Sequence, residues 1–119
     1  MGCRILIVED WPDGREHLRQ LLELLGYEVR VATNGHQGLE LVLDWHPNAA
    51  IVDLGLPGLD GYQLAQRVRA ILGDRVFLIA LSAYSSRKQK RQAQEAGFNA
   101  HFYNLPDLDE LYGVLEGQL

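Results

Sequence analysis

Short apolar runs and helix-spaced stretches alternate along this chain. Ile5-Leu6-Ile7-Val8 is continuously apolar and stops at the acidic pair Glu9-Asp10, which predicts a buried strand with two carboxylates at its end. Pro12 then suits a first helical turn, and Leu18, Leu21, Leu22 and Leu25 fall at i, i+3, i+4, i+7 until Gly26 stops them. The segment 28–32 alternates around Val29 and Val31 as a shorter, edge-side strand. Asn34-Gly35 turns into a helix with Leu39, Val42 and Leu43 on one face, which Pro47 ends. Ala50-Ile51-Val52 is a second buried run with Asp53 at its rim. Beyond it Gly55, Pro57, Gly58, Asp60 and Gly61 form a dense turn cluster, and a helix begins at Tyr62 with Leu64, Ala65, Val68 and Leu72 as its apolar face, closed by Gly73.

The pattern continues with a buried run over 76–81 that ends at Ser82. Residues 87–96 have helical character but offer mainly Ala93 and Ala96 for packing, so this helix is held most weakly and is the expected mobile element. A short strand at 100–103 and, after Pro106, a helix with Leu108, Leu111, Tyr112 and Leu115 on its apolar face complete the chain. Strand ends near Val8, Ala32, Val52, Leu81 and Tyr103 recur at the spacing of βα units with right-handed crossovers, which makes the class α/β with a parallel sheet.

Composition narrows the function classes. A length of 119 residues suits one domain, and 47% hydrophobic with 23% charged residues is globular, with no run near the roughly 18 to 20 apolar residues of a membrane span. The net charge of −5 argues against a nucleic-acid surface. The single cysteine, Cys3, forms no intrachain disulfide and suits a cytoplasmic location. Met1-Gly2-Cys3 lacks the Ser or Thr of a lipidation start, since Leu6 stands there.

The segment 49–62, AAIVDLGLPGLDGY, resembles the phosphoacceptor segment of response-regulator receiver domains in its Asp-x-x-Leu-Pro-x-x-Asp-Gly pattern after a buried strand. The resemblance covers essentially the whole chain as one receiver domain, 1–119. It implies a flavodoxin-like, doubly wound five-stranded parallel sheet of order 2-1-3-4-5, an order for which receivers serve as a standard illustration. The first and third strands would then be neighbours, bringing Glu9, Asp10 and Asp53 into one pocket. Three carboxylates at close quarters repel one another, and a hard divalent cation with oxygen ligands relieves this; Mg2+ is the expected ion. By similarity to the family, Asp10 and Asp53 bind it through their side chains, Gly55 through its backbone carbonyl, and Glu9 through water.

The chemistry so implied is phosphoryl transfer to a carboxylate, with Asp53 as phosphoacceptor. Ser82 matches the family's hydroxyl that hydrogen-bonds the phosphoryl group, His101 its aromatic switch position, and Tyr84 a position that modulates water attack. The sequence departs from the family at the fifth strand's end. Where a lysine is normal, counting from Ala100 gives Asn104 and counting back from Pro106 gives Leu105, and neither is cationic. The four histidines have no zinc spacing.

The expected function is a phosphorelay receiver, not an enzyme beyond its own phosphorylation and dephosphorylation. It would take phosphate from a histidine kinase or histidine phosphotransfer protein and alter contacts with a downstream effector. A phosphorylation-independent docking module on the same fold is the alternative that the lysine replacement favours. A flavin-binding flavodoxin is disfavoured, because Glu9-Asp10 would repel a cofactor phosphate where a glycine-rich loop is needed.

Overall fold

The computed structural model describes residues 2–83 and 86–119. Its elements alternate as β1 (Arg4–Val8), α1 (Pro12–Leu24), β2 (Glu28–Ala32), α2 (Gly35–Trp45), β3 (Ala49–Asp53), α3 (Gly61–Leu72), β4 (Phe77–Ser82), α4 (Arg87–Ala96), β5 (Ala100–Tyr103) and α5 (Leu108–Leu115). The strands form one parallel sheet in the order β2-β1-β3-β4-β5, a flavodoxin-like arrangement.

Why the central strands read as unbroken apolar runs is plain from their two faces. Ile5 and Ile7 point to one side, where they meet Leu18 and Leu22 of α1 and Leu111 and Leu115 of α5. Leu6 and Val8 point to the other, against a core that includes Val42 of α2, Leu64 and Val68 of α3, and Phe98. A strand covered on both faces has no polar side to alternate with. β2 is an edge strand with alternating exposure, as its sequence predicts.

Helix boundaries follow local chemistry. Asn34 caps α2 by accepting from the Gln37 N–H (2.8 Å), and Ser86 caps α4 through the Gln89 N–H (3.0 Å). Asp60 with Gln63, and Asp107 with Glu110, form reciprocal capping boxes at the starts of α3 and α5. In α4 the buried residues are Ala93 and Ala96, in keeping with weak anchoring. α5 departs from its expected face. Leu111 and Leu115 are buried, but Leu108 and Tyr112 are 38% and 50% exposed, and the partly buried Val114 packs against the core instead. An i, i+3, i+4 pattern on eight residues supports two overlapping faces, and docking against α1 and the sheet selects the one through Val114.

Candidate functional site

The carboxyl ends of β1, β3, β4 and β5 build the site, and backbone hydrogen bonds continue the strand pairing just past the regular ladder. The Glu9 N–H donates to the Ala32 carbonyl (3.0 Å), that of Leu54 to Leu81 (2.9 Å), and that of Asn104 to Ser82 (2.6 Å). Since Val8 is paired with Val52 and Asp53 with Leu81, the next residues along must converge. Carboxylate oxygens of Glu9, Asp10 and Asp53 lie within 4.8 Å of one another. Glu9 is buried, Asp53 half-buried and Asp10 exposed.

Glycines let the surrounding loops close over this cluster. A β-carbon on Gly61 would stand 2.5 Å from the Asp53 carbonyl oxygen and 2.8 Å from Leu54 Cα, so only glycine lets α3 start against the loop that carries Asp53. One on Gly14 would meet Trp11 Cε3 at 2.7 Å and Glu9 Oε1 at 3.3 Å. Gly14 therefore lets α1 pass beneath Trp11 and beside the Glu9 carboxyl. It was not singled out from sequence, although a glycine inside a helix, costing about 1 kcal/mol relative to alanine, signals such a close approach. Arg15, also of α1, donates to the Glu9 carbonyl oxygen (2.9 Å) and fixes the loop from the other side.

Electrostatics single out Glu9. Burial pushes its carboxyl up to about 8, reinforced by a hydrogen bond with Asp53 and by the negative charges of Asp53 and Asp10. Glu9 Oε2 is buried with no hydrogen-bond partner. At neutral pH a proton therefore joins Glu9 to Asp53, while Asp53 Oδ1 also accepts from the Gly55 N–H (3.0 Å). An orphaned buried carboxylate oxygen beside two further acidic groups is a donor set suited to a hard cation, and the residues fit Mg2+ on that chemistry.

A cavity of about 230 Å³ opens beside these carboxylates. Asp53, Glu9 and Ser82 border it together with Trp11, Asn104 and Leu105. Ser82 is buried, and its Oγ lies 2.7 Å from His101 Nε2. His101 in turn stacks on Tyr103, with ring centroids 4.5 Å apart. Both candidates for the missing lysine's place reach the cavity, and they differ in role. Leu105 packs on the core beneath α1 and α5, whereas Asn104 is exposed, with a left-handed backbone at φ 59°. Among the described residues that line the cavity none is cationic. Tyr84 lies outside the described residues.

Comparison with known proteins agrees with this fold. The model of the response regulator receiver domain family matches residues 5–115. The sporulation initiation phosphotransferase F of Bacillus subtilis is 30% identical over 119 residues, covering 100% of this chain and 95% of that protein. The response regulator MprA of Mycolicibacterium vanbaalenii is 32% identical over the whole chain, which spans 51% of that relative. Among solved structures, the receiver domain of the Pseudomonas aeruginosa sensor histidine kinase PA1611, with a magnesium ion coordinated in its active site cleft, superposes with a TM-score of 0.89. It is 32% identical, with 98% of this chain and 96% of that one covered. By its fold, its family match and the acidic cluster at its strand ends, this chain belongs to the response regulator receiver domains of two-component signalling.

Proposed function

We propose that Asp53 accepts a phosphoryl group from a phosphohistidine on a histidine kinase or phosphotransfer protein, and that the modified domain changes its contacts with an effector. The observation that carries this reading is the joining of Glu9, Asp10 and Asp53 beside a cavity that Ser82 also borders. An Asp53 carboxylate oxygen attacks phosphorus in line, the N–P bond breaks, and the donor imidazole takes up a proton as it leaves. Asp10 and Asp53 side chains and the Gly55 carbonyl would hold Mg2+, with Glu9 contributing through water. Bound there, Mg2+ neutralises charge on the transferring group. Burial holds a proton on Glu9, and its loss would add negative charge to the cluster and favour the cation. The Ser82 hydroxyl donates to a phosphoryl oxygen, and Asn104 offers a neutral amide donor where the family resemblance implies a lysine. Tyr84 is assigned the modulation of water attack by resemblance alone. The name of the Bacillus relative, a phosphotransferase, supports a relay role.

A second reading, a docking module that works without phosphorylation, draws on the absence of a cation among the described cavity residues. Acetyl phosphate with Mg2+ separates the two. Phosphotransfer predicts a single phosphate adduct by mass spectrometry that vanishes in Asp53→Asn, and a chain that gains no adduct supports the docking module.

A further inference from the structure

Ser82 connects two surroundings. The residue borders the cavity beside Asp53, and its Oγ lies 2.7 Å from His101 Nε2. The hydroxyl has one proton. If that proton is donated to a phosphoryl oxygen, the lone pairs of Oγ face the imidazole, and the 2.7 Å contact persists only if His101 Nε2 carries a proton of its own. Among the described residues that line this cavity none is cationic, and Asn104 and Leu105 stand where a lysine ammonium is expected.

We propose that phosphorylation of Asp53 draws a solvent proton onto His101, and that the resulting imidazolium, acting through Ser82, supplies the positive charge that position 104 lacks. His101 is thus a positioning residue: it touches Ser82, not the reacting atoms. This rests on the reading of Asp53 as phosphoacceptor and deepens it.

The surroundings of His101 suit a ring that is neutral at rest and charged in the modified state. On β4 it faces Ser82, on its own strand it stacks on Tyr103, and from α4 the Lys90 ammonium and the uncharged Gln94 border the same cavity of about 250 Å³. Burial, and then the Lys90 charge, hold the imidazole below its usual value, so it is neutral at pH 7 in the unmodified protein. A phosphoryl group adds about 1.5 to 2 negative charges on the far side of Ser82 and opposes both effects. The ring is only part-buried and borders that cavity, so a proton can reach it. His101 Nδ1 is buried and has no hydrogen-bond partner, so the contact with Ser82 at Nε2 is the hydrogen bond through which the ring senses the cavity beside Asp53.

The test is an NMR pH titration of the histidine ring nitrogens in the full chain, with Mg2+ alone and with Mg2+ plus beryllofluoride, a phosphoryl mimic that caps a carboxylate. With beryllofluoride on Asp53, the His101 midpoint should rise by about one pH unit or more, a tenfold gain in proton affinity. Ser82→Ala should remove most of that rise. Asn104→Lys should also suppress it, because an ammonium then meets the phosphoryl charge directly; a merely structural histidine would not respond to that substitution. An unchanged midpoint with Asp53 visibly capped overturns the inference and leaves the acceptor reading standing. So does a ring that exchanges one neutral tautomer for the other without net proton uptake. Failure of Asp53 to take up beryllofluoride overturns the acceptor reading and this inference with it.

Discussion

Asn104 occupies a left-handed backbone at φ 59°, a conformation that asparagine tolerates better than most residues. Asn104→Lys therefore brings a cation to the cavity at a backbone cost of about 1 kcal/mol. A hydrogen bond to a charged group contributes about 1.5 to 3 kcal/mol, so phosphate occupancy at Asp53 should rise roughly ten- to a hundredfold while the melting temperature falls slightly. Leu105→Lys should instead lose stability, by about 2 kcal/mol or more, because Leu105 packs on the core. Adduct mass spectrometry beside thermal unfolding checks both; equal occupancy in the two variants and the parent would show that a cation is not limiting. Glu9 makes a second prediction at this scale. Its folded-state value of about 8 stands above the ordinary 4.5, so between those values the folded chain holds a proton that the unfolded chain has released. The stability this gives is complete below about pH 4.5 and is lost as pH rises through about 8. Without metal, the parent should lose on the order of 2 to 4 kcal/mol across that window relative to Glu9→Gln, and millimolar Mg2+ should shrink the loss by binding the ionised form. Parallel stability curves for parent and variant would remove Glu9 as the titrating group. The identity of these carboxylates was legible because each ends an apolar run. The elevated proton affinity of Glu9 was not, since it arises from burial and from Asp53, which only the pairing of β1 with β3 brings alongside.

Among the helices, α4 combines a basic surface with little anchoring. Its buried side chains are alanines, whereas α1 buries Leu18 and Leu22, and α3 buries Leu64 and Val68. Burying a leucine contributes about 1.5 to 3 kcal/mol, well beyond what an alanine methyl provides. Backbone amides of α4 should therefore exchange with solvent roughly tenfold or more faster than those of α1 and α3 in the unmodified domain. Hydrogen exchange by NMR reads this directly, and equal protection would mean that caps and loop contacts hold α4 as firmly as packing holds its neighbours. Strands and helix starts were readable at this scale because their signals are local: continuous apolar runs, Asn-Gly after β2, the turn cluster before α3 and Pro106 before α5. The buried face of α5 was not. Leu108, Leu111, Tyr112 and Leu115 have helical spacing, yet the sheet turns Leu108 and Tyr112 outward, and only the packing of the whole sheet decides between faces a fraction of a turn apart.

Across the whole molecule the two rims of the sheet are built to opposite ends. The carboxyl rim crowds like charges and leaves Glu9 Oε2 without a partner, while the amino rim satisfies its polar groups with side chains. Asn48, just before β3, exchanges hydrogen bonds with Arg4, accepting from its N–H at Oδ1 (2.8 Å) and donating to its carbonyl (2.8 Å). Asn99, just before β5, does the same with Leu78 (2.9 and 2.7 Å). Both are Asn-Ala pairs at a strand start, a repeat visible in the sequence whose meaning depends on a neighbouring strand far away in the chain. Arg69 of α3 completes this rim. Its guanidinium donates to the carbonyls of Gly97 (2.9 Å), Gly73 (2.8 Å) and Val76 (2.8 Å), and to Asn99 Oδ1 (2.6 Å), joining the ends of α3 and α4 to the starts of β4 and β5. Arg69→Met keeps an aliphatic stem while deleting every one of these donors. Hydrogen bonds from a charged group contribute about 1.5 to 3 kcal/mol singly and add poorly when they share one side chain, so the variant should lose about 2 to 4 kcal/mol in urea unfolding. Because the carboxyl rim lies at the other end of every strand, the rate at which folded Arg69→Met takes phosphate from acetyl phosphate should stay within about twofold of the parent, well below the tenfold that 1.4 kcal/mol at the site would produce. A larger fall, measured where the variant is still fully folded, would mean that the two rims are coupled through the sheet and that Arg69 helps set the geometry at Asp53.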